Sequence, residues 1–134
     1  MIPAWVGVAL AAITLIEARR AAAQESAPSK APASGATTAS QPEYDGWKVF
    51  HTHCDRCHGQ DATGSSFAPN LRQSVGANGM TEPAFASVVA DGRPDKGMPA
   101  FKTMITDAQI GQLYAYVKAR SAGTLAPGRP KPPS

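Results

Sequence analysis

The chain has 134 residues with 13 Lys and Arg against 10 Asp and Glu, a formal charge of +3, a length that suits one domain with tails. Gly and Pro each fill 12 positions, above the roughly 7% and 5% of average usage, which argues for loops and against a helical bundle or coiled coil. Two cysteines are too few for a disulfide scaffold, and no apolar run reaches the ~20 residues of a membrane span.

The first 23 residues read as a secretory signal. Trp5 to Ile16 is a 12-residue apolar run, and Ala21–Ala23 before Gln24 is a small-residue cleavage site. The region before the run lacks Lys and Arg, and Arg19 and Arg20 follow it, so an uncleaved anchor is the alternative. Residues 24–41 are Ala, Ser, Pro, Thr and Gly with almost no large apolar side chain, which predicts a disordered tether. Residues 42–123 are the expected folded domain, and the Pro-rich end, 124–134, is expected to be an extended tail. Basic and acidic residues balance between 41 and 122, so the surplus charge sits in the ends. A nucleic-acid binder concentrates basic residues on its folded surface, and no nucleic-acid partner is expected here.

Within the domain, Gly46 and Phe50 stand four apart on one helix face before Cys54-Asp-Arg-Cys57-His58. That C-x-x-C-H string is the attachment signature of a c-type haem. Two thiols three positions apart reach the two vinyl groups on one haem edge as thioethers, and the next residue offers an imidazole to the iron. A thioredoxin-like motif wants a βαβ setting, which is missing. His51, His53, Cys54, Cys57 and His58 lie within eight residues and also suggest zinc, but zinc sites usually join two ligand pairs across a longer loop. A Cys54–Cys57 disulfide is the remaining alternative.

Thr81-Glu-Pro starts a middle helix that runs to about Ala90. Asp91 to Phe101 is too rich in Gly and Pro for helix. A second axial ligand is sought among Met80, Met98 and Met104. A thioether is a soft ligand, and His/Met ligation raises the reduction potential, which suits an electron carrier. Met98, set in Gly97-Met98-Pro99, is poor core filler there and is the favoured candidate. Met80 is placed on a loop, and Met104 is expected to pack. Ile110, Leu113, Tyr114 and Val117 form an amphipathic stripe, with Thr106-Asp-Ala-Gln109 as its capping box and Gly123 at its end. Tyr114 and Tyr116 are read as ordinary packing.

Over residues 43–122 the sequence resembles a class I, monohaem cytochrome c. The features that carry the likeness come in order: Gly46 and Phe50; Cys54-x-x-Cys57-His58; Pro69-Asn70-Leu71; Gly97-Met98-Pro99-Ala100-Phe101; and Leu113 and Tyr116 in the closing helix. The resemblance implies an all-α cytochrome c fold, with about three main helices wrapped around one haem c held by Cys54 and Cys57. It also implies that His58 and Met98 ligate the iron and that the Pro69 carbonyl accepts the His58 Nδ1–H. Gly-Arg-Pro-Asp-Lys-Gly-Met-Pro, with the Leu-Tyr-Ala-Tyr-Val-Lys-Ala-Arg-Ser ending, is most like periplasmic cytochromes that accept electrons from quinoprotein (pyrroloquinoline-quinone) alcohol dehydrogenases. The expectation is a monomeric periplasmic one-electron carrier between such a dehydrogenase and a terminal oxidase or another cytochrome, not an enzyme. Membrane association is expected only if the signal segment stays uncleaved. The alternative is a haem enzyme or gas-binding cytochrome with an exchangeable sixth ligand. Lys96 and Lys102 flank the Met98 loop and are candidates to steer an acidic partner.

Overall fold

The computed structural model describes residues 35–134; the expected signal segment and most of the expected tether lie outside the described residues. Among the described residues five α-helices follow one another: α1 (Gln41–His53), α2 (Asp55–His58), α3 (Leu71–Val75), α4 (Glu82–Asp91) and α5 (Asp107–Ala122). Short 3-10 turns at Gln60–Ala62 and Pro94–Lys96 complete the set. No strand occurs among the described residues, only isolated bridges, so the expected all-α class is met.

The helix signals act where the sequence places them. At α5, Thr106 Oγ1 accepts from the Gln109 N–H at 3.3 Å, and the Gln109 side chain accepts from the Thr106 N–H at 2.9 Å. Gly123 ends the helix in the left-handed region at φ 72°. The α1–α5 pair is the main packing contact of the domain. Phe50 and Tyr116 are fully buried with ring centroids 5.4 Å apart, and Ile110, Leu113 and Val117 extend the same core. Gly46 makes that approach possible. A Cβ there would run into the Gln112 carbonyl, so α1 rests on the backbone of α5.

The boundaries at the two ends need correction. Residues 36–39, expected in the tether, and 124–131, expected as a tail, form parallel bridges at Ala36–Leu125 and Thr38–Lys131. The Ala36 N–H donates to Thr124 O at 2.8 Å and the Lys131 N–H to Thr37 O at 2.8 Å. The reason is burial: Ala39 and Leu125 sink into the core, and buried extended backbone must find partners. Small residues and prolines thus form a strap across the domain.

Candidate haem-attachment site

Cys54 closes α1 and opens α2. Its N–H donates to Phe50 O at 2.8 Å, and its carbonyl accepts from the His58 N–H at 2.9 Å. Cys54 and Cys57 are both free, the first half-buried and the second exposed. Burial pushes the Cys54 thiol up to about 12, with the charges of Asp55 and Cys57 adding to it. Cys54 packs against the apolar core, a surrounding that suits a hydrophobic ring edge.

His58 is buried, and its Nδ1–H donates to the Pro69 carbonyl at 3.0 Å. That bond fixes the tautomer and leaves Nε2 as the ring nitrogen for a metal. The Ser65 hydroxyl donates to Cys57 O and the Gly64 N–H to His58 O, which closes the end of α2. The turn between them is strained. Asp61 and Ala62 are consecutive non-glycine residues at φ 61° and 59°, a geometry that costs about 1–3 kcal/mol per residue. Asn70 then caps α3, its side chain accepting from the Gln73 N–H at 3.1 Å.

The three methionine candidates separate. Met98 is half-buried, and it exchanges two backbone hydrogen bonds with Arg93, at 2.8 and 3.0 Å. Met80 is also half-buried, and its carbonyl accepts from the Tyr114 hydroxyl at 3.2 Å. Met104 is expected to pack, yet it is 53% exposed, in the turn before α5. The loop around Met98 depends on Gly92 at φ 70°, where a Cβ would lie 2.5 Å from the Pro99 carbonyl carbon. The loop then docks on α4 through Phe101 N–H to Val89 O at 3.1 Å.

The remaining histidines have structural surroundings. The His51 Nδ1–H donates to Trp47 O at 3.0 Å, and its ring sits against Trp47, Phe50 and Tyr116. The His53 ring meets Phe101 edge-on at 6.1 Å. Among the described residues no group of three or more His, Cys, Asp or Glu converges on one point. Lys102 lies 3.6 Å from Asp91, both about two-thirds exposed, so half of the expected basic pair is already partnered.

Sequence reasoning missed Asp61 and Arg120. Arg120 follows Val117 by three on the buried stripe of α5 and is itself 2% exposed. A lone guanidinium on an apolar stripe is the available signal, since a buried charge requires a partner. Its Nη2 stands 2.6 Å from Asp61 Oδ1.

The residues present fit a covalent haem. Two thiols lie on one helical turn beside an imidazole of fixed tautomer. Half-buried Cys54, Leu71, Met80 and Met98 add apolar surface that is packed on the core yet not enclosed by it.

Comparisons with known proteins agree with that chemistry. A family model described as Cytochrome C oxidase, cbb3-type, subunit III, matches residues 41–117. Cytochrome c-555 of Methylococcus capsulatus is 36% identical over 95 residues, covering 69% of this chain and 74% of that protein. Cytochrome c-553I of Paracoccus denitrificans is 36% identical over 94 residues, 65% of this chain, and the match spans only 41% of that longer protein. The crystal structure of the c-type cytochrome XoxG from Methylobacterium extorquens AM1 superposes with a TM-score of 0.62 at 30% identity, over 69% of this chain and 59% of that one.

Proposed function

The chain belongs to the c-type cytochrome family and carries one haem c, and we propose from that premise that it is a periplasmic electron carrier fed by a quinoprotein alcohol dehydrogenase. The observation that carries the reading is the His58–Pro69 hydrogen bond beside two free cysteines on one helical turn. Haem c supplies a ferric/ferrous couple when bound.

The residues then divide the work. Cys54 and Cys57 hold the group by thioethers, and His58 offers Nε2 to the iron. Pro69 O keeps the imidazole oriented and strengthens it as a donor by drawing on its Nδ1–H. Met98 would offer the iron a soft thioether, which favours the reduced metal. His58 is buried and the Met98 backbone is tied to Arg93, so both would be held beside that group. The dehydrogenase as donor rests on the residue resemblance around Met98 and the α5 end. The oxidase or second cytochrome as acceptor is supported by the oxidase-subunit name of the family model. Among the described residues no helix is long and apolar enough to cross a membrane. Export is supported by the attachment motif, whose usual maturation needs an oxidising compartment, and by the signal-like residues 1–23.

Stopped-flow mixing of the ferric protein with a reduced quinoprotein alcohol dehydrogenase is the test. Reduction on a millisecond-to-second scale, with no carbon monoxide adduct of the ferrous protein, is expected. Slow reduction with ready carbon monoxide binding would move the assignment to a gas-binding or enzymatic haem protein.

A further inference from the structure

Two adjacent side chains in the last turn of α5 grip the segment that bears Pro69 on both sides. Upstream, Arg120 Nη2 meets Asp61 Oδ1 at 2.6 Å, with side chains 1% and 16% exposed. Downstream, the Ser121 hydroxyl donates to Arg72 O at 2.6 Å, three residues past Pro69. Between the two ties the backbone is in direct contact. The Gly64 N–H donates to His58 O at 2.7 Å, and a Cβ on Gly64 would stand 2.7 Å from Asn70 N.

The upstream tie also includes the strap. The Asp61 carboxylate accepts from the Gly128 N–H at 2.9 and 3.1 Å, and the Arg120 guanidinium donates to Leu125 O and Gly128 O. Asp61 and Ala62 sit in the left-handed region, which non-glycine residues leave unless something holds them. The Asp61 carboxylate ties this turn to α5 and to the strap. The contacts thus run without a gap from Gly128 through Asp61, the turn at 59–64 and Pro69 to His58 Nδ1.

We propose that Asp61, Arg120, Ser121 and the Gly128 backbone are positioning residues that set the His58–Pro69 hydrogen bond and, through it, the reduction potential. The proposal rests on the reading of His58 as an axial ligand. A carbonyl held close to Nδ1–H gives the imidazole more anionic character and favours ferric iron. Loosening the clamp weakens that bond and raises the potential.

The test uses the full-length haem-loaded protein and variants that leave net charge unchanged, so that a plain charge effect does not imitate the result. These are D61N/R120Q, Gly128→Pro and Ser121→Ala. Proline has no N–H and cannot adopt the φ of 88° found at Gly128. Redox titration gives the potential, and proton NMR of the ferrous form gives solvent exchange of the His58 Nδ1–H. All three variants are expected to raise the potential and to speed that exchange by about tenfold, the loss of roughly one net hydrogen bond. Slowly exchanging amides in the middle of α1 and α5 are expected to keep their wild-type rates.

A lowered melting temperature with unchanged potential and unchanged Nδ1–H exchange would overturn the proposal and leave a stabilising ion pair. If D61N/R120Q does not fold, Gly128→Pro and Ser121→Ala decide the matter by the same readings. A separate signature tests the underlying assignment: axial coordination shifts the His58 ring protons far upfield in ferrous wild type. Their absence would overturn the axial reading and the clamp together, whereas normal shifts with unmoved potentials overturn the clamp alone.

Discussion

The two sides of the site are built differently. The His58 side is held by side chains: the Ser65 hydroxyl, the Asn70 cap, the Ser121 hydroxyl and a buried Arg120–Asp61 pair all act on residues 57–73. The Met98 side is held by backbone and glycine. Its ties are the paired bonds with Arg93, the docking of Phe101 and Lys102 on the end of α4, and the close packing of Gly92 under Pro99. An imidazole must present one nitrogen in one direction, so its surroundings are fixed in detail. A thioether on a flexible side chain needs only to be brought near. The histidine side is therefore the part least tolerant of change, and the methionine side the part where Met98 is replaced without loss of the fold.

The largest effect expected is at the cysteines. Cys57→Ser is expected to leave at most one thioether, and C54S/C57S none, so that haem is removed by acid–acetone extraction from the double variant and not from wild type. Next comes Met98→Ala. It is expected to lower the reduction potential, abolish the weak far-red charge-transfer band of the ferric form and open the ferrous form to carbon monoxide, while far-ultraviolet circular dichroism stays helical. Retention of the band would reassign the sixth ligand, with Met80 the next candidate to substitute. Gly92→Ala is smaller and separates loop geometry from ligand chemistry. It keeps the sulfur but puts a Cβ against Pro99 at a positive φ, and is expected to cost about 2–4 kcal/mol in thermal or denaturant unfolding. Partial loss of the far-red band at full haem content would show the sulfur displaced with the loop.

How much of this was readable from sequence depends on whether the information is local. The C-x-x-C-H turn, the Thr106–Gln109 cap and the Gly46–Phe50 face are set by residues within four or five positions of one another, and they stand where expected. The Pro69 carbonyl was legible only through family resemblance, because nothing local says which of many carbonyls faces His58 Nδ1. Composition alone makes both segments of the strap look free. Its order comes from pairing between residues about ninety positions apart, together with burial of Ala39 and Leu125. Asp61 was invisible for the same reason, since its partners, Arg120 and Gly128, lie far along the chain. Arg120 was the exception that periodicity alone exposes, as a charge on the buried face of α5.

The smallest expected effect concerns Tyr116, which joins the core to the histidine side. Its hydroxyl accepts from Arg120 Nε at 3.3 Å. Burial holds its phenol above the ordinary value, and Asp61 acts in the same direction, while the hydrogen bond and charge of Arg120 and the charge of Arg72 pull the other way. A phenol that holds its proton more tightly when folded stabilises the folded state fully below the unfolded value of about 10. That contribution is lost as pH rises from there through the raised folded value. Wild type should therefore lose stability above pH ~10 more steeply than Tyr116→Phe, whose phenyl ring keeps the packing on Phe50 but has no proton to lose. Near neutral pH the variant should be less stable by about 0.5–1.5 kcal/mol, the net worth of one hydrogen bond to Arg120. Denaturant melts of both proteins from pH 7 to 11 measure the two terms together. Parallel curves across that range would mean that the Tyr116 phenol ionises at its ordinary value, so that Arg120 offsets the burial and the histidine side is no more sensitive to alkali than the Met98 loop.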